Sequence, residues 1–339
     1  MINWIGLIME NTALESIAKQ LVSPGKGILA ADESFPTIEK RFKTVGLKST
    51  QESRRTYREL LFTTPGIEKF ISGVILFDET LRQESCGKPI VQILEEKGII
   101  LGIKVDQGTE DLPDYPGEKI TKGIDGLGRR LEEYKILGAK FTKWRAVFSI
   151  SQCTPSLACV EKNTDILADF AGVSQEKGFV PIVEPEVLME GGHDINKCSE
   201  VTRMVLKMLF IKVNKKNIAL SCLLLKPNMV LPGKDYPERE QAEEIAQKTI
   251  EVMREAVPPQ VPGIVFLSGG QTPEEATENL REINKITNDR QTWQLSFSYG
   301  RALQEPVLKA WLGKEENIKV AQEAFYNRAK MNSEARYGK

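Results

Sequence analysis

The residue best suited to covalent chemistry in this chain of 339 residues is Lys226. It follows three leucines and precedes Pro227. An apolar setting disfavours the charged form of an amine, and an uncharged lysine can attack a carbonyl carbon to form a Schiff base. The alternative is structural, because a lysine at a strand end often extends its ammonium into water. The segment alone leaves both interpretations open.

Two pairs of like charges occur at i, i+2 spacing. One pair is Lys143 and Arg145, and the other is Glu184 and Glu186. Side chains two residues apart in a strand lie on the same face. Two cations on one face repel each other unless an anion lies between them, and one of two neighbouring carboxyls can keep its proton and act as acid or base. Solvated strand ends or a structural salt-bridge network would give the same pattern. Next to a candidate nucleophile, the pairs favour an enzyme centre.

Two further segments have the composition of phosphate sites. Residues 267–273 (Leu-Ser-Gly-Gly-Gln-Thr-Pro) predict a strand, a glycine turn and a helix start, whose backbone N–H groups can bind an anion. Arg301, on the next predicted strand, offers a fork of donors to the same anion. Lys104, together with Ser34 and Thr37 after the first strand, predicts a second phosphate site. Glycine turns of this kind also occur in loops that bind nothing, so each segment is weak evidence alone.

The elements that must position these residues alternate regularly. Eight apolar runs predict strands at Gly27–Ala31, Gly73–Phe77, Ile99–Val105, Ala139–Val147, Phe179–Val183, Ser221–Leu225, Gly263–Leu267 and Leu295–Tyr299. Apolar residues at i, i+3 and i+4 predict helices at Glu52–Phe62, Gly126–Leu137, Thr154–Gln175, Cys198–Lys216, Glu238–Ala256 and Thr272–Ile286. Asp125 and Thr272 are the predicted N-caps of two of them. Each strand-plus-helix unit takes about 34 residues, the size of a βαβ repeat.

We therefore predict an α/β fold, a (β/α)8 TIM barrel that forms a single domain over residues 1–339, with an N-terminal helical extension and C-terminal helices. An open doubly wound sheet would show the same alternation. The barrel is favoured because nearly every predicted strand ends in a reactive or phosphate-compatible residue. Examples are Asp32 after the first strand and Lys104 with Asp106 after the third. Strand ends surround one shared site only when the sheet closes.

Composition excludes several classes of protein. With 46 Lys and Arg against 47 Asp and Glu, the net charge of −1 provides no field to attract nucleic acid. The only histidine, His193, rules out zinc sites with several histidine ligands. The five cysteines are scattered without a C-x-x-C pair, which predicts a reducing compartment. The sequence contains no run of 18 apolar residues, so it predicts no membrane span. We expect a cytoplasmic protein, or one in the plastid stroma if a transit peptide has been removed.

Together these residues make the sequence resemble class I (Schiff-base) fructose-bisphosphate aldolases closely. The segments that carry the resemblance, in the family's order, are Gly25–Ser34, Lys143–Arg145, Val183–Glu186, Leu225–Met229, Leu267–Gly270 and Phe297–Leu303. The resemblance implies a barrel, usually a homotetramer, that reversibly cleaves fructose 1,6-bisphosphate to dihydroxyacetone phosphate and glyceraldehyde 3-phosphate. It implies no metal or other cofactor, and a place in glycolysis, gluconeogenesis or the Calvin cycle.

The resemblance also implies a role for each residue. Lys226 would form the imine at C2, Glu184 would shuttle protons to and from the carbinolamine, and Asp32 would take the C4 hydroxyl proton. Glu186 would support the proton network, and Lys143 would hold the substrate and the charges around it. The implied contacts to the C1 phosphate are Ser268, Gly269, Gly300 and Arg301, and Gly270 and Ser298 belong to the same substrate-binding set. The implied contacts to the other phosphate and the sugar chain are Ser34, Thr37, Arg41, Lys104 and Arg145.

Other functions remain open from the sequence. Sedoheptulose 1,7-bisphosphate is a plausible second substrate, because it also carries a phosphate at each end. A divalent-metal lyase or isomerase would need carboxylates such as Glu184, Glu186 and Asp106 around one ion, and EDTA would then abolish its activity. A barrel that serves only as a binding scaffold would show no turnover.

The sequence departs from the family pattern at two places. Phe35-Pro36-Thr37 stands where many members have small residues, among them glycine, and Pro36 removes a backbone donor. At the other end, many relatives continue into a tail that ends in a tyrosine, which assists protonation of the enamine, and Tyr337 does not match that residue. We therefore expect cleavage to persist while proton exchange on the enamine is slow.

Overall fold

A computed structural model describes residues 4–85, 87–238, 240–287 and 292–339, with residues 4–10 described by their backbone alone. Eight parallel strands close into a barrel in which each strand pairs with its neighbours in chain order and β1 pairs with β8. The strands are β1 (Gly27–Ala31), β2 (Ile71–Leu76), β3 (Ile100–Lys104), β4 (Phe141–Phe148), β5 (Val180–Val187), β6 (Leu224–Leu225), β7 (Gly263–Phe266) and β8 (Gln294–Tyr299). Each contains part of one predicted run, so the TIM barrel is confirmed and the open sheet is excluded.

The helices lie outside the barrel and below it. They are α1 (Trp4–Leu21), α2 (Phe35–Lys43), α3 (Gln51–Thr63), α4 (Asp78–Leu81), α5 (Ile90–Glu96), α6 (Leu127–Ile136), α7 (Leu157–Glu176), α8 (Ile195–Lys215), α9 (Ala242–Ala256), α10 (Pro273–Ile286), α11 (Arg301–Trp311) and α12 (Ile318–Ala335). Short 3₁₀ turns occupy Ile67–Lys69, Leu220–Cys222 and Glu315–Asn317. Two small antiparallel hairpins pair Glu84–Ser85 with Lys88–Pro89 and Thr109–Asp111 with Lys119–Thr121. In the described part of the chain, the helices are too short or too polar to span a bilayer.

Helix starts show which local predictions were sound. Thr272 caps α10 as predicted, since its hydroxyl accepts from the Glu275 N–H at 3.1 Å and its own N–H donates to the Glu275 carboxylate at 2.8 Å. The prediction of Asp125 was wrong. The cap of α6 is Gly126, at φ +69°, where a left-handed backbone favours glycine over any residue with a side chain. Helix α7 begins three residues later than predicted, because Ser156 is its cap.

The lower half of the barrel is filled with apolar side chains. Helix α1 closes the N-terminal end, where Leu14 and Leu21 pack against interior residues such as Ile28 and Phe141. The Phe141 ring fits only because residue 102 is glycine, since a Cβ there would lie 2.2 Å from the ring. Only the opposite end, where the strands finish, is free to hold a ligand.

The alternation of side chains along the strands places the charged pairs. In β4, Trp144 points outward and packs against Phe170 of α7, with 5.5 Å between ring centroids. Lys143 and Arg145 therefore face the interior. The β4–β5 register sets Arg145 beside Glu184, so cations and carboxylates meet at one level near the open end.

Candidate active site

The C-terminal ends of the strands surround an open cavity of about 1300 Å³. All the site residues selected from the sequence line it: Asp32, Ser34, Thr37, Arg41, Lys104, Lys143, Arg145, Glu184, Glu186, Lys226, Ser268, Gly269, Gly270, Ser298, Gly300 and Arg301. They come from segments spread over 270 residues of chain. Closure of the barrel is what brings them together.

A row of alternating charges forms the floor of the cavity. Lys226 Nζ lies 3.0 Å from Glu184 Oε1, and Glu184 Oε2 lies 3.2 Å from Lys143 Nζ. The same Lys143 ammonium lies 2.6 Å from Asp32 Oδ2. Lys143, Glu184 and Lys226 are buried, and the side chain of Asp32 is 12% exposed. The amine of Lys226 is therefore in direct contact with a carboxylate that can accept a proton from it.

The charges of this row support one another. Burial raises the pKa of Asp32, but Lys143, Lys226 and Lys104 outweigh it and hold the pKa well below the usual range. Burial likewise raises the pKa of Glu184, and Lys143, Lys226 and Arg145 reverse the shift. Burial disfavours the Lys143 ammonium, yet Asp32, Glu184 and Asp106 raise the pKa of Lys143 above its usual range. At neutral pH, Asp32 and Glu184 are therefore anions and Lys143 is a cation.

The expectation that one carboxyl of the Glu184 and Glu186 pair keeps its proton does not hold for Glu184. Glu184 faces Lys226 and Lys143, whereas Glu186 forms an ion pair with the guanidinium of Arg145. The two carboxylates thus contact different cations, and the low pKa of Glu184 follows from its position among Lys143, Lys226 and Arg145. The anions that separate the two cations of β4 are the protein's own carboxylates.

One side of the cavity has the form of an anion cradle. Residues 268–270 turn from β7 into α10, and Arg301 follows β8. A Cβ on Gly269 would lie 2.8 Å from a Glu186 carboxylate oxygen, and one on Gly270 would lie 2.5 Å from Met189. The hydroxyl of Ser298 is buried and has no hydrogen-bond partner among the described residues, and Arg301 donates to the Gln271 carbonyl at 2.9 Å. The cradle therefore offers backbone, hydroxyl and guanidinium donors to an anion.

The opposite side carries the second predicted phosphate set. Ser34 and Thr37 lie at the start of α2 with their hydroxyl oxygens 3.1 Å apart. Between them, Phe35 packs edge-on against Phe77, with ring centroids 5.2 Å apart. Lys104 donates to the backbone carbonyl of Asp106 at 2.8 Å and also contacts its carboxylate. An incoming phosphate would therefore compete with Asp106 for this lysine.

Sequence reasoning missed the group behind Arg41. Its guanidinium forms an ion pair with Glu33, which also contacts Arg58 of α3 and Gln304 of α11. A polar residue next to Asp32 was the available signal, because alternation in an extended segment places it away from the Asp32 side. Its partners could not be found, since Gln304 lies 271 residues further along the chain.

Metal ligation bears on what chemistry the site can perform. No cluster of three or more His, Cys, Asp or Glu within the described ranges is arranged to hold a metal ion.

The family model for class I fructose-bisphosphate aldolases matches residues 13–339. The cytosolic fructose-bisphosphate aldolase 5 of Arabidopsis thaliana is 52% identical over 95% of this chain and 90% of its own length. A probable class 1 fructose-bisphosphate aldolase of Xanthomonas campestris is 49% identical, over 96% of this chain and 98% of its own. A solved structure of the Plasmodium falciparum aldolase, in complex with TRAP and a small-molecule inhibitor, superposes with a TM-score of 0.95 at 46% identity, covering 97% of this chain and 95% of that one.

Proposed function

Since the chain belongs to the class I fructose-bisphosphate aldolase family, we propose that Lys226 is the residue that forms the imine with the substrate. The enzyme catalyses the reversible cleavage of fructose 1,6-bisphosphate to dihydroxyacetone phosphate and glyceraldehyde 3-phosphate. The observation that carries the assignment is the 3.0 Å contact between Lys226 Nζ and Glu184 Oε1. Glu184 can take a proton from the ammonium and so free the amine lone pair to attack the C2 carbonyl.

Glu184 then serves as the proton shuttle. Attack by the amine produces a carbinolamine, and loss of its hydroxyl as water requires a proton donor. Glu184 can return the proton that it took from Lys226, and water and a protonated imine result. Lys143 lies 3.2 Å from Glu184 and keeps its carboxylate ionised between transfers.

Asp32 is the base for bond cleavage. Its carboxylate takes the proton of the C4 hydroxyl, C4 becomes an aldehyde, and the electrons of the C3–C4 bond move into the protonated imine to give an enamine. Its low pKa keeps it ionised, and the 2.6 Å contact with Lys143 fixes its position. A single cation therefore orients both the shuttle and the base.

The two donor sets hold the substrate across this row of charges. We assign the C1 phosphate to the cradle formed by Ser268, Gly269, Gly300 and Arg301, with Gly270 and Ser298 beside it. The second set, Ser34, Thr37, Arg41, Lys104 and Arg145, binds the other phosphate and the sugar chain. Two anchored ends place the C3–C4 bond beside Asp32 and make the reaction effectively intramolecular. The volume of about 1300 Å³ also leaves room for the seven-carbon chain of sedoheptulose 1,7-bisphosphate, which we propose as a second substrate.

We further propose a cytoplasmic homotetramer. The name of the Arabidopsis relative, which calls it cytosolic, supports the location. Fluorescent tagging of the protein in its own cells would distinguish the cytoplasm from the plastid stroma. Large apolar side chains exposed on outer helices support association; they include Ile136, Leu157, Ile211 and Val320. Light scattering after size-exclusion chromatography should give four times the mass of 38.0 kDa for one chain.

The central assignment is tested by Lys226→Met. We expect kcat to fall by more than about 1000-fold, as removal of a covalent nucleophile does in other enzymes. The matched control is Lys140→Met, an exposed lysine just before β4, which should keep the activity of the unchanged protein. If Lys226→Met folds and retains more than a tenth of that activity, Lys226 is not the imine lysine.

A further inference from the structure

We propose that Glu33 is a positioning residue that holds the Arg41 guanidinium ready for a substrate phosphate. The inference rests on the proposed function, which makes Arg41 a substrate contact. Glu33 follows the base Asp32 directly and lies in the wall of the cavity with its side chain 3% exposed, outside the row of charges. Its part in the reaction would be to fix the affinity for substrate and not to transfer a proton.

Both carboxylate oxygens of Glu33 are engaged. Oε1 accepts from Arg41 Nη1 and from Gln304 Nε2, the latter at 2.7 Å. Oε2 forms an ion pair with Arg58 Nη2 at 2.5 Å. Gln304 Nε2 donates in addition to the carbonyl of Ala30 in β1, also at 2.7 Å. The carboxylate is thereby tied to β1, which ends just before Asp32, and to the three outer helices α2, α3 and α11.

The helix that carries Arg41 is itself fixed. Phe42, the next residue of α2, is fully buried and packs edge-on against Tyr57 of α3 and Trp311 of α11, with ring centroids 5.6 and 6.2 Å away. Tyr57 and Trp311 stack on each other at 5.4 Å. The backbone at Arg41 is therefore set by packing, and its long side chain is the part that needs a second anchor. Glu33 supplies that anchor.

The group formed by Glu33, Arg41 and Arg58 has a net positive charge, which faces the cavity. Burial raises the pKa of Glu33 and Asp32 raises it further, but Arg58 and Arg41 outweigh both, so the pKa lies below its usual range. One carboxylate between two guanidinium groups leaves one positive charge in excess. Arg58 is 3% exposed and Arg41 is 23% exposed, so this excess charge is presented to the cavity by Arg41.

Arg41 belongs to the second donor set but also lies close to the C1 cradle. A Cβ on Gly300 of the C1 cradle would be 3.4 Å from Arg41 Nη2. The same helix begins at Phe35 and presents Ser34 and Thr37 of the other set. Phosphate binding by a guanidinium depends on its orientation, because its donors form a rigid planar fork. A carboxylate that fixes this fork lowers the entropy lost when the substrate binds.

The test is a double-mutant cycle on steady-state kinetics with fructose 1,6-bisphosphate. We expect Glu33→Gln to raise KM about tenfold, the loss of one charge-assisted contact, and to leave kcat within about twofold. Glu33→Asp restores the charge and should give a KM nearer that of the unchanged enzyme. Arg41→Met should raise KM at least as much, and the double variant Glu33→Gln, Arg41→Met should be no worse than Arg41→Met alone.

Two outcomes would overturn the proposal. One is a KM increase in the double variant equal to the product of the two single increases, and the other is a Glu33→Gln variant in which kcat falls while KM is unchanged. If Arg41→Met leaves KM unaltered, the assignment of Arg41 as a substrate contact fails, whatever Glu33 does. Should Glu33→Gln not fold, Gln304→Met removes one donor to the same carboxylate and should raise KM in the same direction, again only when Arg41 is present.

Discussion

The Nζ atom of Lys226 lies 3.0 Å from Oε1 of Glu184 at the closed floor of an otherwise open barrel end. The contact joins the end of β6 to β5, and the register that pairs Leu225 with Val183 sets it. An amine that must lose a proton before it attacks thus touches the group that can take the proton. This geometry makes Glu184 the residue on which both formation and dehydration of the carbinolamine depend.

Replacing Glu184 by glutamine should therefore remove a proton carrier while it preserves shape. We expect kcat for cleavage of fructose 1,6-bisphosphate to fall about 100- to 1000-fold, within the range of general acid–base catalysis. Glu190→Gln is the matched control, because Glu190 lies at the cavity rim and pairs with Lys234 at 3.2 Å. A Glu184→Gln enzyme with less than a tenfold loss would show that water or another group carries the proton.

Lys143→Met should destabilise the protein in a manner that depends on pH. It leaves the buried Asp32 and Glu184 carboxylates without their shared cation, at a cost of about 3–5 kcal/mol in the free energy of unfolding at pH 7. In the unchanged protein these carboxyls have lowered pKa values, so their contribution is complete above pH 5 and is lost on acidification. In the variant both pKa values are higher than in the unchanged protein, because the lowering effect of Lys143 is lost, and the deficit should shrink as pH falls and the carboxyls take up protons.

Urea unfolding at pH 7 and pH 5 measures this effect. Lys212→Met removes a surface ion pair with Asp165, 2.9 Å long, and should cost no more than about 1 kcal/mol at either pH. An equal loss for Lys143→Met at both pH values would contradict the electrostatic account.

Phe35 is the first residue of α2 and lies between Ser34 and Thr37 of the second donor set. Its ring packs against Phe77, and the guanidinium of Arg54 lies 4.6 Å above it while also pairing with Glu79. Together with Pro36 in the first turn of α2, these contacts fix the loop that carries Ser34 and Thr37. Phe35→Ala should raise KM for fructose 1,6-bisphosphate about three- to tenfold with kcat unchanged. Tyr115→Ala removes an exposed aromatic ring from a loop and should change neither KM nor kcat. A Phe35→Ala variant whose KM equals that of the unchanged enzyme would refute a positioning role for Phe35.

Gly269 is the residue of the phosphate cradle that lies next to the Glu186 carboxylate. A methyl group there would meet a Glu186 oxygen at 2.8 Å, so Gly269→Ala should displace Glu186 together with its partner Arg145. We expect KM to rise at least about tenfold, since the substituted Gly269 and the displaced Arg145 are both substrate contacts. Gly172→Ala in α7, where the nearest atom is 4.0 Å from the new carbon, should leave KM unaltered. Equal KM values for the two variants would show that the cradle is not used.

The sequence predicts the barrel strands and the site residues better than it predicts the side chains that hold those residues in place. The eight strand runs and the residues after them follow from local composition, because a buried parallel strand needs a continuous apolar run and its end must carry the polar group. Helices α2 and α11 and the hairpin at 109–121 were not predicted, because α2 has only nine residues, α11 contains Pro306, and each strand of the hairpin has three residues. The charged residues of 314–330 are typical of a solvated helix, yet Phe325 and Ala329 of α12 are buried, because only one face of this helix meets water. The pairing of Glu33 with Arg58 is a tertiary contact without a local pattern.

The imine at Lys226 is tested most directly by borohydride reduction in the presence of dihydroxyacetone phosphate, followed by peptide mass spectrometry. We predict a single adduct, on Lys226, that forms equally in EDTA. Asp32→Asn should trap it as well, because Asp32 acts only when the C3–C4 bond breaks. An adduct on Lys143 or Lys104, or an active enzyme that gives no adduct and loses activity in EDTA, would contradict the account.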